Sequence, residues 1–100
     1  MMSTFIMLTK LAPDALEKPD APQTLAQAVA ARVEKVCPSV EWKSSYVTLG
    51  PYDYLDIFEA PDIETAMQVG TIVLSVGHAR TEIWAATDWR SFKALAQGTA

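Results

Sequence analysis

The chain has one hundred residues, half of them hydrophobic, a net charge of −4 and a pI near 4.7. This length gives one domain, residues 1–100, able to bury a core without disulfides, and the single cysteine excludes an internal bridge. The eight Lys and Arg are scattered without a basic stripe, which argues against nucleic acid. Residues 1–8 lack the basic start of a signal peptide, and no apolar run is long enough to span a membrane, so the expectation is a cytoplasmic protein with no membrane partner. A chain this small struggles to hide so much apolar surface, which favours association with a second copy.

Residues 3–11 alternate Phe5, Met7 and Thr9 against Thr4, Ile6 and Leu8. Both faces are fairly apolar, as in a central strand. Residues 12–21, with Pro13, Asp14, Pro19 and Asp20, read as a loop. Asp20 is a possible cap and Pro22 fits the first turn of a helix, in which Leu25, Val29, Val33 and Val36 form an apolar stripe before Pro38 stops it. Cys37, just ahead of that proline, reads as a small buried apolar residue.

Residues 39–49 form a second strand, with Val47 and Leu49 on one face and Trp42, Ser44, Tyr46 and Thr48 on the other. Gly50-Pro51-Tyr52-Asp53 supplies a turn into a returning strand. There Leu55 and Ile57 share one face, and Tyr54, Asp56 and Phe58 the other. Asp62 then caps a helix with Ala66, Val69, Gly70 and Val73 as its buried stripe. Residues 71–76 have strand-like propensity, but the start signal at Asp62 and the stop signal at Gly77 favour helix. The last strand, 78–86, sets Ala79, Thr81, Ile83 and Ala85 against His78, Arg80, Glu82 and Trp84. The tail from Asp88 reads as a short capped helix that frays at its end.

The order β-α-β-β-α-β predicts an α+β, ferredoxin-like fold: a four-stranded antiparallel sheet, strands one and three central, with two helices on one face. Ile6, Leu8, Val47, Leu55, Ile57, Ile83 and Ala85 are expected to meet the helices. Phe5, Met7 and Thr9 would then share the opposite face with Trp42, Tyr46, Tyr54, Asp56, Phe58, His78, Arg80, Glu82 and Trp84. Exposing so many aromatics forgoes roughly 1.5–3 kcal/mol each, so a second sheet is expected to cover them and close a two-chain barrel.

Gly50-Pro51-Tyr52-Asp53, Glu59-Ala60-Pro61-Asp62 and the run Gly77-His78-Ala79-Arg80-Thr81-Glu82, together with the first strand, resemble the GYD-domain family. The resemblance covers residues 3–86, and the tail 87–100 is less characteristic. It implies membership of the dimeric α/β-barrel superfamily, which includes small monooxygenases, isomerases and haem-degrading enzymes. It carries no activity of its own, so function follows only by analogy.

Acid, base and cation beside aromatic surface suggest a small-molecule site. Asp56, His78 and Arg80 are the candidate catalytic residues, the first two as general bases and Arg80 as anion holder. Trp42, Tyr46, Tyr54, Phe58, Glu82 and Trp84 are the candidate ligand-binding residues. The plainer alternative pairs Arg80 with Asp56 or Glu82 and leaves His78 to cap its strand. Tyr52 and Asp53 read as structural turn residues, or as a gate to the barrel mouth. One histidine, no haem-attachment motif, no phosphate loop, no dinucleotide fingerprint and no nucleophile elbow give the expectation of no cofactor and no metal. The expected function is a homodimer binding a small apolar or aromatic acid in the barrel. The alternatives are a cofactor-independent enzyme of monooxygenase or isomerase type, and a pure assembly module without ligand.

Overall fold

A computed structural model describes residues 2–13, 21–76 and 79–99. The elements, in chain order, are β1 (Ser3–Leu11), α1 (Ala21–Val36), β2 (Glu41–Val47), β3 (Tyr54–Ala60), α2 (Ile63–Val76), β4 (Ala79–Ala86) and α3 (Trp89–Thr99). The sheet is antiparallel with strand order β2-β3-β1-β4, so the first and third strands are central as expected. Asp20, Gly77 and His78, assigned above as cap, stop signal and site residue, lie outside the described residues.

Local chemistry explains the helices. The backbone N–H of Thr65 donates to Asp62 Oδ1 at 2.7 Å, and the Thr65 hydroxyl donates to the same oxygen at 2.6 Å. These bonds stabilise the carboxylate and hold the Asp62 carboxyl below its ordinary value. Capping overrides the strand propensity of residues 71–76, and α2 buries Ala66, Val69, Gly70, Ile72 and Val73. The same device starts α3, where Ser91 donates its N–H to Asp88 Oδ1 at 2.9 Å and its hydroxyl to Oδ2 at 2.8 Å. In α1, Val29 and Val33 are buried, but Val36 is largely exposed and Cys37 takes the expected inward place. Burial pushes the Cys37 thiol up, in keeping with a structural role.

The face assignment is reversed on the central strands. Phe5 and Met7 of β1 and Phe58 and Ala60 of β3 pack with Val29, Val33, Ala66, Val69 and Val73 in one core. Directly opposed residues share a face, and Phe5 stands opposite Phe58 and Ala85, Met7 opposite Asp56 and Ile83. Ile6, Leu8, Leu55 and Ile57 therefore lie on the outer face, away from the helices. Ile83, Ala85 and Val47 do face the helices as expected. The reason is that both faces of β1 and β3 are apolar, so alternation defines two faces without saying which one the helices cover. A bulge between Trp42 and Ser44 then shifts the phase of β2, placing Trp42, Ser45 and Val47 on the helix side and Ser44 and Tyr46 outside.

Candidate functional site

The Gly-x-Tyr-Asp turn fastens three strands. The Asp53 backbone N–H donates to the Thr9 carbonyl at 2.8 Å, and Asp53 Oδ2 accepts from the Leu11 N–H at 2.8 Å. The carboxylate thus replaces a backbone acceptor where the β1–β3 ladder runs out. Thr48 closes the turn from the other side, its hydroxyl donating to the Tyr52 carbonyl at 2.6 Å. The Tyr52 hydroxyl reaches across to donate to Glu82 on β4, and Glu82 also accepts from the Trp84 indole N–H at 3.2 Å. Structural roles for Tyr52 and Asp53 account for all these contacts. Asp53→Ala is expected to lower stability by about 1–3 kcal/mol because the Leu11 N–H loses its partner, whereas Asp53→Asn keeps an acceptor and most of the stability. Urea unfolding of both variants checks this; equal losses would mean that the carboxylate charge, not its acceptor geometry, matters.

The cavity lies on the helix side. Helix α1 packs on α2 and stands off the sheet, leaving a space of about 390 Å³ between them. Leu25, Ala26, Val29 and Ala30 of α1 form its roof, and Met7, Thr9, Tyr54 and Asp56 of β1 and β3 line its floor. Trp42, Ser45 and Val47 close it along β2, with Val73 contributed by α2. Ala26 and Ala30 are exposed and edge this space. The volume falls within the range of small-molecule sites, roughly 300–1,000 Å³.

Asp56 is the charged group of this cavity. Burial pushes its carboxyl above the ordinary value, against a hydrogen bond from Ser45 that lowers it. Tyr54, beside it on the same face, is also raised, first by burial and then by Asp53 and Asp56. No lysine or arginine is among the described residues lining the space. The folded state thus holds the Asp56 proton to higher pH than the unfolded state does. Between the ordinary carboxylate value and the raised one the folded chain binds more protons, so this group's contribution to stability falls as pH rises through that window. Asp56→Asn is expected to match the wild type in acid and to exceed it at pH 7, read from urea midpoints across pH. A wild type that is more stable than the variant at pH 7 would contradict this.

The candidate residues therefore separate. Asp56, Tyr54 and Trp42 meet at the cavity. Phe58 shares their face but is wholly buried, stacked on Phe5 at 5.6 Å and tilted against Trp42 at 5.4 Å, so it is a core residue rather than a ligand wall. Arg80 stands opposite Lys10, and Trp84 opposite Ile6, on the outer face with Glu82. Arg80 cannot share a one-faced site with Asp56, and it makes no ion pair among the described residues. Tyr46 borders the cavity from the edge strand, while its register with Leu55 turns it to the outer face. Sequence reasoning missed Ser45, hidden by the bulge, and the α1 residues. Ala26 and Ala30, one helical turn apart beside Leu25 and Val29, were the available signal for the latter.

This arrangement defines the class: an α+β protein of ferredoxin-like fold with a small cavity between its first helix and its sheet. The GYD domain model matches residues 5–96, and the chain belongs to that family. It is similar to the crystal structure of TTHA0845 from Thermus thermophilus, with 27% identity and a TM-score of 0.60 over 88% of this chain and 95% of that one. The leucine response regulatory protein LrpA of Mycobacterium tuberculosis shares the fold at 15% identity and a TM-score of 0.57, over 86% of this chain and 51% of that one. The de novo designed protein Foldit4 does so at 14% identity and a TM-score of 0.52, over 87% of this chain and 97% of that one. No curated protein gives a significant match. Among the described residues no helix is long and apolar enough to cross a membrane, and no cluster of three His, Cys, Asp or Glu could hold a metal ion.

Proposed function

We propose that this chain is a homodimeric domain that holds a small, uncharged, largely apolar ligand between α1 and the sheet of each protomer. The observation that carries the reading is the cavity of about 390 Å³, largely apolar, with Asp56, Tyr54, Tyr46, Ser45 and Thr9 as its acid and hydroxyl groups. Such a lining favours a ligand with an apolar body and one hydroxyl or carbonyl group. It disfavours the acid expected from sequence, because the cation meant to hold that acid, Arg80, lies on the other face. The homodimer rests on the outer face, where Ile6, Leu55, Ile57 and Trp84 form an apolar surface that the chain's own helices leave uncovered. A second sheet packed there would bury it.

One observation favours a second reading, proton transfer on the bound ligand without a cofactor. Burial raises the Asp56 carboxyl above its ordinary value, as a general base requires, and Tyr54 stands beside it on the same face of the strand. Deuterium uptake by 2-tetralone in heavy water, lost in Asp56→Asn, would support catalysis; equal uptake with both proteins leaves the binding function alone.

Native mass spectrometry of freshly purified protein tests the main reading. A dimer carrying a few hundred extra daltons, lost in an Ala30→Trp variant, is the expected result. A monomer would remove the dimer. An adduct that survives Ala30→Trp would place the ligand elsewhere.

A further inference from the structure

The C-terminal helix is unaccounted for by the fold. No residue of α3 is buried, and the helix makes no extended contact with any other element. Yet it is amphipathic: Trp89, Phe92 and Leu95 lie along one side, 71%, 49% and 66% exposed. An isolated helix of eleven residues is marginal in water even when capped, so this one needs a surface to lie on.

The strand register indicates where that surface is. Ala86, the last residue of β4, lies in the same row of the sheet as Thr4, Glu59 and Glu41. Glu41 and Glu59 face each other directly, a like-charged pair that Lys43 offsets only through one contact at 3.7 Å. Helix α3 starts three residues beyond this row, carries Arg90 and Lys93, and has no carboxylate. The rest of the chain therefore holds all twelve Asp and Glu against six of the eight Lys and Arg. Within one chain β4 and β2 are opposite edges of the sheet, so α3 starts at the far edge from that acidic pair. When two sheets meet on their outer faces about a two-fold axis along the strands, β4 of one lies over β2 of the other.

We propose that α3 is an exchanged arm, lying along β2 of a second copy of this chain with Trp89, Phe92 and Leu95 against it and Arg90 and Lys93 beside the acidic pair. The proposal rests on the homodimer reading and adds the element that locks it. β2 suits the role because it is an edge strand exposing Tyr46 on its outer face, and an uncovered edge invites pairing. The stripe offers about 350 Å² of exposed side chain per helix, so two reciprocal arms and the surfaces they cover bury about 1,400 Å², the size of a standard specific interface. A membrane fits less well, since two cations on the helix are attached to a body with a large acidic excess.

Sedimentation equilibrium of the full chain tests the arm. The triple variant Trp89→Ser, Phe92→Ser, Leu95→Ser is expected to raise the dimer dissociation constant at least about 100-fold, and the charge reversal Arg90→Glu, Lys93→Glu about 10-fold. Adding Glu41→Lys to the charge reversal should recover most of that loss, which a merely misfolded variant would not do. If both variants dimerise as the wild type does, the arm is wrong and the homodimer stands. If the wild type is itself a monomer, the homodimer falls and the arm with it. If the triple variant dimerises normally but loses binding to phosphatidylserine-containing vesicles that the wild type shows, α3 is a membrane anchor and the arm is overturned.

Discussion

Phe58→Ala is expected to lower the stability of this chain by about 3–5 kcal/mol, the usual loss for emptying a buried phenylalanine site. The side chain is wholly inaccessible and packs between Phe5 and Trp42 at the centre of the core beneath the helices. Domains of this size are stable by roughly 5–15 kcal/mol in total, so the variant approaches the limit of folding at ambient temperature. Each kcal/mol moves the midpoint by about 4–8 °C at this length. Thermal and urea unfolding provide the measurement. The sequence assigned Phe58 to the wall of a ligand site; a loss below about 1 kcal/mol, together with altered ligand binding, would restore that assignment.

Ala30→Trp is expected to reduce affinity for any cavity ligand by about 100-fold or more while the fold is kept. Ala30 is exposed on α1 yet borders the cavity, so an indole there can enter the vacant space rather than displace the core. The comparison is Arg80→Ala, which removes the cation once expected to anchor the ligand. Arg80 faces outward opposite Lys10, and its loss should leave affinity unchanged within about twofold. Calorimetry with a small phenol or aryl ketone distinguishes the two. Reversed effects would move the site to the outer face.

The fold was legible because its signals were local and redundant. Asp62 and Asp88 sit where capping requires, Pro38 follows the end of α1, and the Gly50–Asp53 turn separates two strands of the right length. The buried stripe of α2 could be read from spacing alone, since Ala66, Val69, Gly70 and Val73 repeat with the period of a helix. Which face of the sheet the helices cover was not legible. Leu55 and Ile57 look as suited to a core as Phe58 and Ala60, because in this sheet both faces are apolar. Choosing the wrong face scattered the candidate site, grouping Asp56 with Arg80 and Glu82 that lie across the sheet from it. The bulge at Trp42–Ser44 is a backbone event with no glycine or proline to announce it, so Ser45 could not be placed beside Asp56 from the sequence. His78 lies outside the described residues and takes no part in the account.

The most direct test of the central claim, that the site is the space between α1 and the sheet, is a nitrogen-15 NMR titration with 4-ethylphenol. The expected result is saturable shifts of the backbone amides of Ala26, Ala30, Ser45, Tyr54 and Asp56, with those of Lys10, Arg80 and Glu82 unmoved. Shifts confined to Lys10, Arg80, Glu82 and Trp84, or a titration that leaves the cavity amides still, would contradict it.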